Sequence, residues 1–294
     1  MIQTEKISDR MLLVLGKNNG RFPYSHSILI LDTDVVLIDT GCGIDTLKQL
    51  VNRYDIDYII NSHTHPDHSA GNWLFKGKEI LVPKEGFNTS GNAAALSKRF
   101  VNEELATTWQ RFAKSDIGFR DCRPTSNFNE ETVLNFGRIT LDPIYTPGHT
   151  KDHYCFFNNR KKILLASDYD LTKFPWYGHR ESNIQEFRES VKKLMTLSSS
   201  IVISSHKGII TDDIHGKFEE YLRLIDERDE KILRLLRKEK TLEQLIEKMP
   251  IYGRFPYAEP LLQYWEGEMI KKHLVRMKKV QKIKSREDNT YIHV

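Results

Sequence analysis

Tyr58-Ile59-Ile60-Asn61-Ser62-His63-Thr64-His65-Pro66-Asp67-His68 is the stretch on which the reading of this 294-residue chain turns. Its apolar start, Tyr58 to Ile60, reads as a short strand. In extended backbone, side chains two residues apart share a face, so His63, His65 and Asp67 can converge on one point. Pro66 keeps His65 extended and suits the first turn of a helix, which would carry His68 back toward the same pocket. Neutral imidazoles and a carboxylate are the ligands that zinc, iron or manganese sites use. A polar turn that is merely histidine-rich is the plainer alternative. Three histidines and an aspartate within six residues at a strand end weigh against it.

Upstream, Leu12 to Leu15, Ser27 to Leu31 and Val35 to Ile38 are short apolar runs bounded by Gly, Asn, Asp and Pro, and read as strands. Ile44, Leu47, Val51 and Tyr54 follow helical spacing before Tyr58. Strand, helix, strand in that order predicts a layered α/β core. Residues 85 to 130 are more polar and partly helical around Ala93 to Ala113. Strands return at Ile139 to Tyr145, Tyr154 to Phe157 and Ile163 to Ala166. A helix opened by Ser182, with Gln185 at the capping-box position, leads to a buried strand at Ile201 to Ser204.

The texture changes after about residue 213. Phe218, Tyr221, Leu222, Ile225, Ile232, Leu233 and Leu236 form an apolar stripe on a highly charged helix. A second helix starts near Thr241, with Gln244 in a capping box, and a third spans Pro260 to Ile283. This predicts two domains, 1–212 and 213–294, the second a small helical unit with its own core.

Composition narrows the class. With 29% charged and 39% hydrophobic residues, general disorder is excluded, and a net charge of +4 implies no nucleic-acid partner by itself. No apolar run approaches the roughly eighteen residues of a spanning helix, and the polar first residues carry no secretory signal. Cys42, Cys122 and Cys155 are odd in number and lack CxxC spacing, so neither a disulfide scaffold nor a thiolate zinc site is predicted. A cytoplasmic protein without membrane contact is the expectation.

His-x-His-x-Asp-His is the signature of the metallo-β-lactamase superfamily, and the chain resembles that superfamily along residues 25 to 210. Val36-Leu37-Ile38-Asp39-Thr40-Gly41 is similar to the early element whose Asp supports the metals from behind. Thr146-Pro147-Gly148-His149-Thr150 is similar to the loop supplying a further His, Ile163 to Asp168 to the strand ending in a bridging Asp, and Ile201 to His206 to the strand delivering the last His. The resemblance implies an αββα four-layer sandwich with a small, winged-helix-like C-terminal helical domain. It also implies two divalent metal ions, zinc before iron or manganese. One would sit on His63, His65 and His149, the other on Asp67, His68 and His206, with Asp168 bridging. Asp39 would orient a ligand, and Asp67 would also take part in catalysis. Asp168 is preferred to Asp170 because it ends the apolar run. His26, His153, His179 and His215 fall outside the motifs and read as surface or supporting groups. Cys42 follows the Asp39 turn, with no role that requires a thiol. The segment Leu171 to Arg180, with Phe174, Trp176 and Tyr177, either lines the substrate pocket or only packs.

The implied activity is hydrolysis by metal-activated water of a small acyl substrate, a thioester, ester or lactone, as in glyoxalase II. The runner-up is a phosphodiesterase or ribonuclease. Lys271 to Arg286 holds eight Lys or Arg and no acidic residue, and some superfamily members with such an extension, including an endoribonuclease, act on RNA. That segment is the candidate nucleic-acid contact, and a homodimer is kept open. Flavodiiron oxygen reductases and persulfide dioxygenases share the scaffold and form a third, redox class.

Overall fold

The computed structural model describes residues 2–255, 258–286 and 290–294. Four antiparallel strands open the chain: β1 (Thr4–Ser8), β2 (Met11–Val14), β3 (Ser27–Leu31) and β4 (Val35–Ile38). Helix α1 (Ile44–Arg53) then crosses over to β5 (Tyr58–Ile60), which pairs parallel to β4. The short α2 (Pro66–Ser69) leads to β6 (Glu79–Pro83). Helices α3 (Ala93–Phe100) and α4 (Ala106–Phe112) precede β7 (Ser126–Phe128), which completes a seven-stranded sheet in chain order.

The second sheet has six strands. β8 (Leu134–Asn135), β9 (Thr140–Tyr145), β10 (Tyr154–Asn158) and β11 (Ile163–Ser167) run antiparallel. Helix α5 (Ile184–Met195) crosses to β12 (Ile201–Ser204), parallel to β11, and β13 (Gly208–Ile210) closes the edge. Every residue of β10 and β11 is buried, as expected of strands covered on both faces.

Three apolar clusters fix the layering. Ile30, Ile38 and Phe128 of the first sheet meet Leu141, Phe156 and Ile203 of the second. Leu47 and Leu50 of α1 cover the outer face of the first sheet at Leu29, Leu37 and Ile59. Phe187 and Val191 of α5 cover the second at Leu164 and Val202. The result is an αββα four-layer sandwich. Each sheet passes from antiparallel to parallel pairing, the first at β4 with β5 and on through β6 and β7, the second at β11 with β12 alone. The carboxyl ends of β4 with β5 and of β11 with β12 bring Asp39 next to the His63 stretch and Asp168 next to His206, with a register shift at Ser167. Such switch points are where sheets of this kind carry their ligands.

The chain ends in α6 (Ile214–Leu235), α7 (Leu242–Ile246), α8 (Glu259–Lys279) and a hairpin of β14 (Ile283–Ser285) with β15 (Tyr291–His293). The sequence reading contains no strand at β1, β6, β7, β8 or β13, and three further details differ from it. The last helix stops at Lys279, and Ile283 begins a strand, because the β14 backbone finds partners in β15. Asn183, not Ser182, caps α5, its Oδ1 accepting from Gln185 N and Glu186 N, while Ser182 Oγ donates to the His149 carbonyl at 2.6 Å. The helical unit closes no core of its own: Phe218, Tyr221 and Ile225 of α6 and Met269 and Ile270 of α8 join the cluster over the second sheet. The Thr241–Gln244 capping box is present. No helix among the described residues is long and apolar enough to cross a membrane.

The turn carrying His149 depends on one glycine. Gly148 has φ +122°, and a Cβ there would lie 2.1 Å from the Phe187 amide nitrogen on α5. Gly148→Ala is therefore expected to cost at least about 1–3 kcal/mol and to loosen metal binding by shifting His149. A thermal unfolding midpoint equal to that of the parent would refute the strain argument.

Candidate metal centre

Seven side chains from four loops, those after β5, β9, β11 and β12, meet at one end of the two sheets. His63, His65, His149 and Asp168 form one group, and Asp67, His68, Asp168 and His206 a second, with all potential ligand atoms in each within 4.8 Å of one another. Asp168 belongs to both. Its Oδ2 lies 3.1 Å from His149 Nε2 and 3.8 Å from His63 Nε2. Its Oδ1 lies 2.9 Å from His68 Nε2 and 3.3 Å from His206 Nε2. Asp67 Oδ2 stands 3.7 Å from His68 Nε2 and 3.8 Å from His206 Nε2.

The outward ring nitrogens are all held. His68 Nδ1 is 2.8 Å from Asp39 Oδ2, and Asp39 in turn accepts from Ser62 N and Ser62 Oγ. Ser62 Oγ also lies 3.0 Å from His63 Nδ1. The Trp176 carbonyl holds His149 Nδ1 at 2.9 Å, and the Gly20 carbonyl holds His206 Nδ1 at 2.7 Å. His65 is turned the other way: Nδ1 faces His149, and Nε2 meets His179 Nδ1 at 2.8 Å. Fixing one nitrogen sets the tautomer and aims the other at a metal.

Three of the inward atoms are unpartnered. His63 Nε2, His68 Nε2 and Asp168 Oδ1 are buried without a hydrogen bond. Buried polar atoms are normally paired. Two inward nitrogens and one carboxylate oxygen left bare, with every outer nitrogen tied, suit two divalent cations sharing a carboxylate. Burial, together with neighbouring imidazoles, drives His63 and His65 well toward their neutral, metal-binding forms. Burial acts the same way on His68, but Asp168, Asp39 and Asp67 outweigh it and hold its pKa well above the ordinary range. His206 is likewise pushed up to about 9, with Asp168 outweighing burial.

The neighbouring residues sort by contact. Asp170 belongs to neither group, and its Oδ1 accepts from Tyr221 Oη at 3.0 Å. His153 is buried and takes the Asp168 amide on Nε2 at 3.2 Å, so it supports that strand end. His179 stacks on Phe100 at 4.0 Å behind His65. His26 accepts the Gly16 amide, and His215 lies exposed beside Glu219. Cys42 is packed in the apolar layer under α1, where burial lifts its thiol to about 12.

One network was not apparent from the sequence. Arg99 of α3 binds Asp152 and Glu181 and donates to Thr64 Oγ1 at 3.0 Å, tying the His63 loop to the His149 loop. Burial would raise the Asp152 pKa, but Arg99 outweighs it and keeps the carboxylate ionised. Arg99 lies 50 residues before the His149 loop, and nothing local signals the pairing.

Above the cluster opens a cavity of about 430 Å³. His65, Asp67, His149, Asp168 and His206 lie at its floor. Its walls include Phe22 and Trp109 with Phe112, Phe174 and Trp176 of the 171–180 segment, and Tyr252, Leu262 and Trp265 of the C-terminal helices. Tyr177 of the same segment is packed instead, 2.8 Å from His273 Nε2.

The model of the metallo-beta-lactamase superfamily matches residues 20–206, and the chain belongs to that superfamily of metal-dependent hydrolases. It is 26% identical over 250 residues to the lactamase-like protein aptB of Emericella nidulans, covering 81% of this chain and 69% of the relative. Identity to a beta-lactamase-like protein 2 homolog of Caenorhabditis elegans is 24% over 287 residues, covering 92% and 86%. A metallo-beta-lactamase family protein from Thermus thermophilus shares the fold over 98% of this chain and 100% of its own, with a TM-score of 0.77 and 20% identity.

Two outcomes follow for metal uptake. Ligating nitrogens must be deprotonated, and His68 and His206 hold protons at neutral pH in the metal-free protein. Titrating it with zinc near pH 7 should therefore release protons, and affinity should fall as pH falls. Uptake with no proton release would contradict the electrostatics described. Asp39→Asn should weaken metal affinity by about 10–100-fold in a chelator competition, with the fold intact by circular dichroism.

Proposed function

We propose that this chain is a dinuclear hydrolase of small acyl substrates (thioesters, esters or lactones), similar in chemistry to glyoxalase II. His63, His65 and His149 would hold one divalent cation, Asp67, His68 and His206 the other, and Asp168 both; zinc suits this donor set best, and iron or manganese can replace it. When bound, such cations lower the pKa of water to about 7 and polarise a carbonyl.

The carrying observation is the cavity. Its floor is the metal cluster and its walls are aromatic, which accommodates an apolar acyl group and brings its carbonyl to the floor. In hydrolysis the acyl carbon gains the oxygen of water, the C–S or C–O bond breaks, and the departing thiol or alcohol takes up a proton. Asp67, whose carboxylate lines the floor 3.8 Å from His206 Nε2, is the group we assign to handling that proton. Arg99, Asp39 and the Trp176 carbonyl act indirectly, by holding the histidine loops.

The basic segment supports the phosphodiester alternative less than its composition suggests. Lys271 and Lys272 pair with Glu268, Arg276 with Asp226 and Asp229, and Arg286 with Glu239. Half of the eight cations are thus engaged within the chain.

A parallel assay of the zinc-loaded protein on phenyl-bearing thioesters and esters, a phosphodiester and RNA tests the reading. The acyl substrates should be turned over fastest, and Trp265→Ala should raise KM for aromatic acyl groups by about tenfold while sparing an acetyl ester. RNA or phosphodiester cleavage outpacing every acyl substrate would overturn it.

A further inference from the structure

Among the described residues, the cavity has one basic lining residue, and the metal chemistry does not use its charge. Arg21 is the only Lys or Arg among the described residues that line it, and its guanidinium makes no hydrogen bond, ion pair or ring contact. The acidic groups of the cavity are otherwise engaged: Asp67 and Asp168 lie in the histidine cluster, and Asp170 takes the Tyr221 hydroxyl.

Arg21 is also presented on a fixed turn. Gly20, the residue before it, uses its carbonyl to hold His206 Nδ1 at 2.7 Å. Arg21 N donates to the Asn18 carbonyl, and the Arg21 carbonyl accepts from Tyr24 N at 3.0 Å. Ser25 Oγ then binds the Asp67 carbonyl at 2.8 Å, and His26 N the Ser205 carbonyl at 2.8 Å. The turn is therefore stapled at both ends to loops of the metal cluster. Next to Arg21, Phe22 stacks on Phe112 at 6.1 Å, so cation and aromatic rim stand side by side.

We propose that Arg21 is a specificity-determining residue that binds a carboxylate on the substrate, so that the preferred substrates are acyl compounds with an apolar body and one carboxylate at the end that reaches the cavity rim. This rests on the acyl-hydrolase reading above. A planar guanidinium matches a carboxylate in a two-point contact. A phosphate dianion would call for more positive charge than this single side chain supplies. The side chain is exposed and unpartnered, so its replacement leaves the turn's backbone bonds in place.

The test compares phenylpropionyl thioesters of mercaptopropionate and of its methyl ester, which differ by one negative charge, and a second pair carrying the carboxylate or its methyl ester at the acyl end. The zinc-loaded parent should favour the acid of one pair by about tenfold in kcat/KM, mainly through KM, the margin shrinking as salt rises. Arg21→Gln should level that pair, Arg21→Lys should keep part of the preference, and Arg21→Glu should invert it. The same ordering is expected from tryptophan quenching by the inert thioether analogues, acid against amide. Equal discrimination by parent and Arg21→Gln in both measurements overturns the proposal. If no thioester is turned over, the hydrolase reading falls, and the thioether pair still decides whether Arg21 binds a carboxylate.

Discussion

The Asp168 carboxylate is the constraint around which the molecule is arranged. It is nearly buried, faces four imidazoles, and has an oxygen with no hydrogen bond. Burial alone would raise its pKa; the His68, His206 and His149 charges reverse that and hold it well below the usual carboxylate range. An ionised carboxylate in such a place persists only with positive charge against it. A pair of divalent cations held by the two groups would supply that charge.

The outer shell answers the same demand. Each of the five histidines in the cluster is tied at its far nitrogen, to Ser62, His179, Asp39, the Trp176 carbonyl or the Gly20 carbonyl, so ligand directions are set by the fold. Two of those anchors are backbone carbonyls of loops that also line the cavity. Movement of the 171–180 segment or the 16–26 turn would therefore reach the metals directly. Asp39 and Ser167 adopt positive φ beside the cluster, where strain of this kind is held by dense surrounding contacts.

The C-terminal helices complete this arrangement. Arg228 of α6 donates to the Pro175 carbonyl and the Tyr177 hydroxyl, and Lys272 of α8 donates to the His179 carbonyl at 2.8 Å. With Trp265 and Leu262 in the cavity wall, the segment after residue 213 is part of the pocket, packed through a core shared with the second sheet. Its apolar stripe was plain from periodicity. That the stripe faces a sheet, not a closed helical bundle, was not, because helical spacing says which side is buried but not against what.

By itself the sequence determined strands β2 to β5 and β9 to β12, the main helices with their apolar faces, and the local grouping of His63, His65, Asp67 and His68, because these depend on spacing within a few residues. The resemblance added His149, Asp168, Asp39 and His206 as partners for it. Only the tertiary structure decided that His65 presents Nδ1 with His179 behind it, that Arg99 joins two histidine loops, and that an aromatic wall and Arg21 stand over the site. The physical reason is common to all of these: each depends on where loops distant in sequence come to rest when two sheets pack face to face.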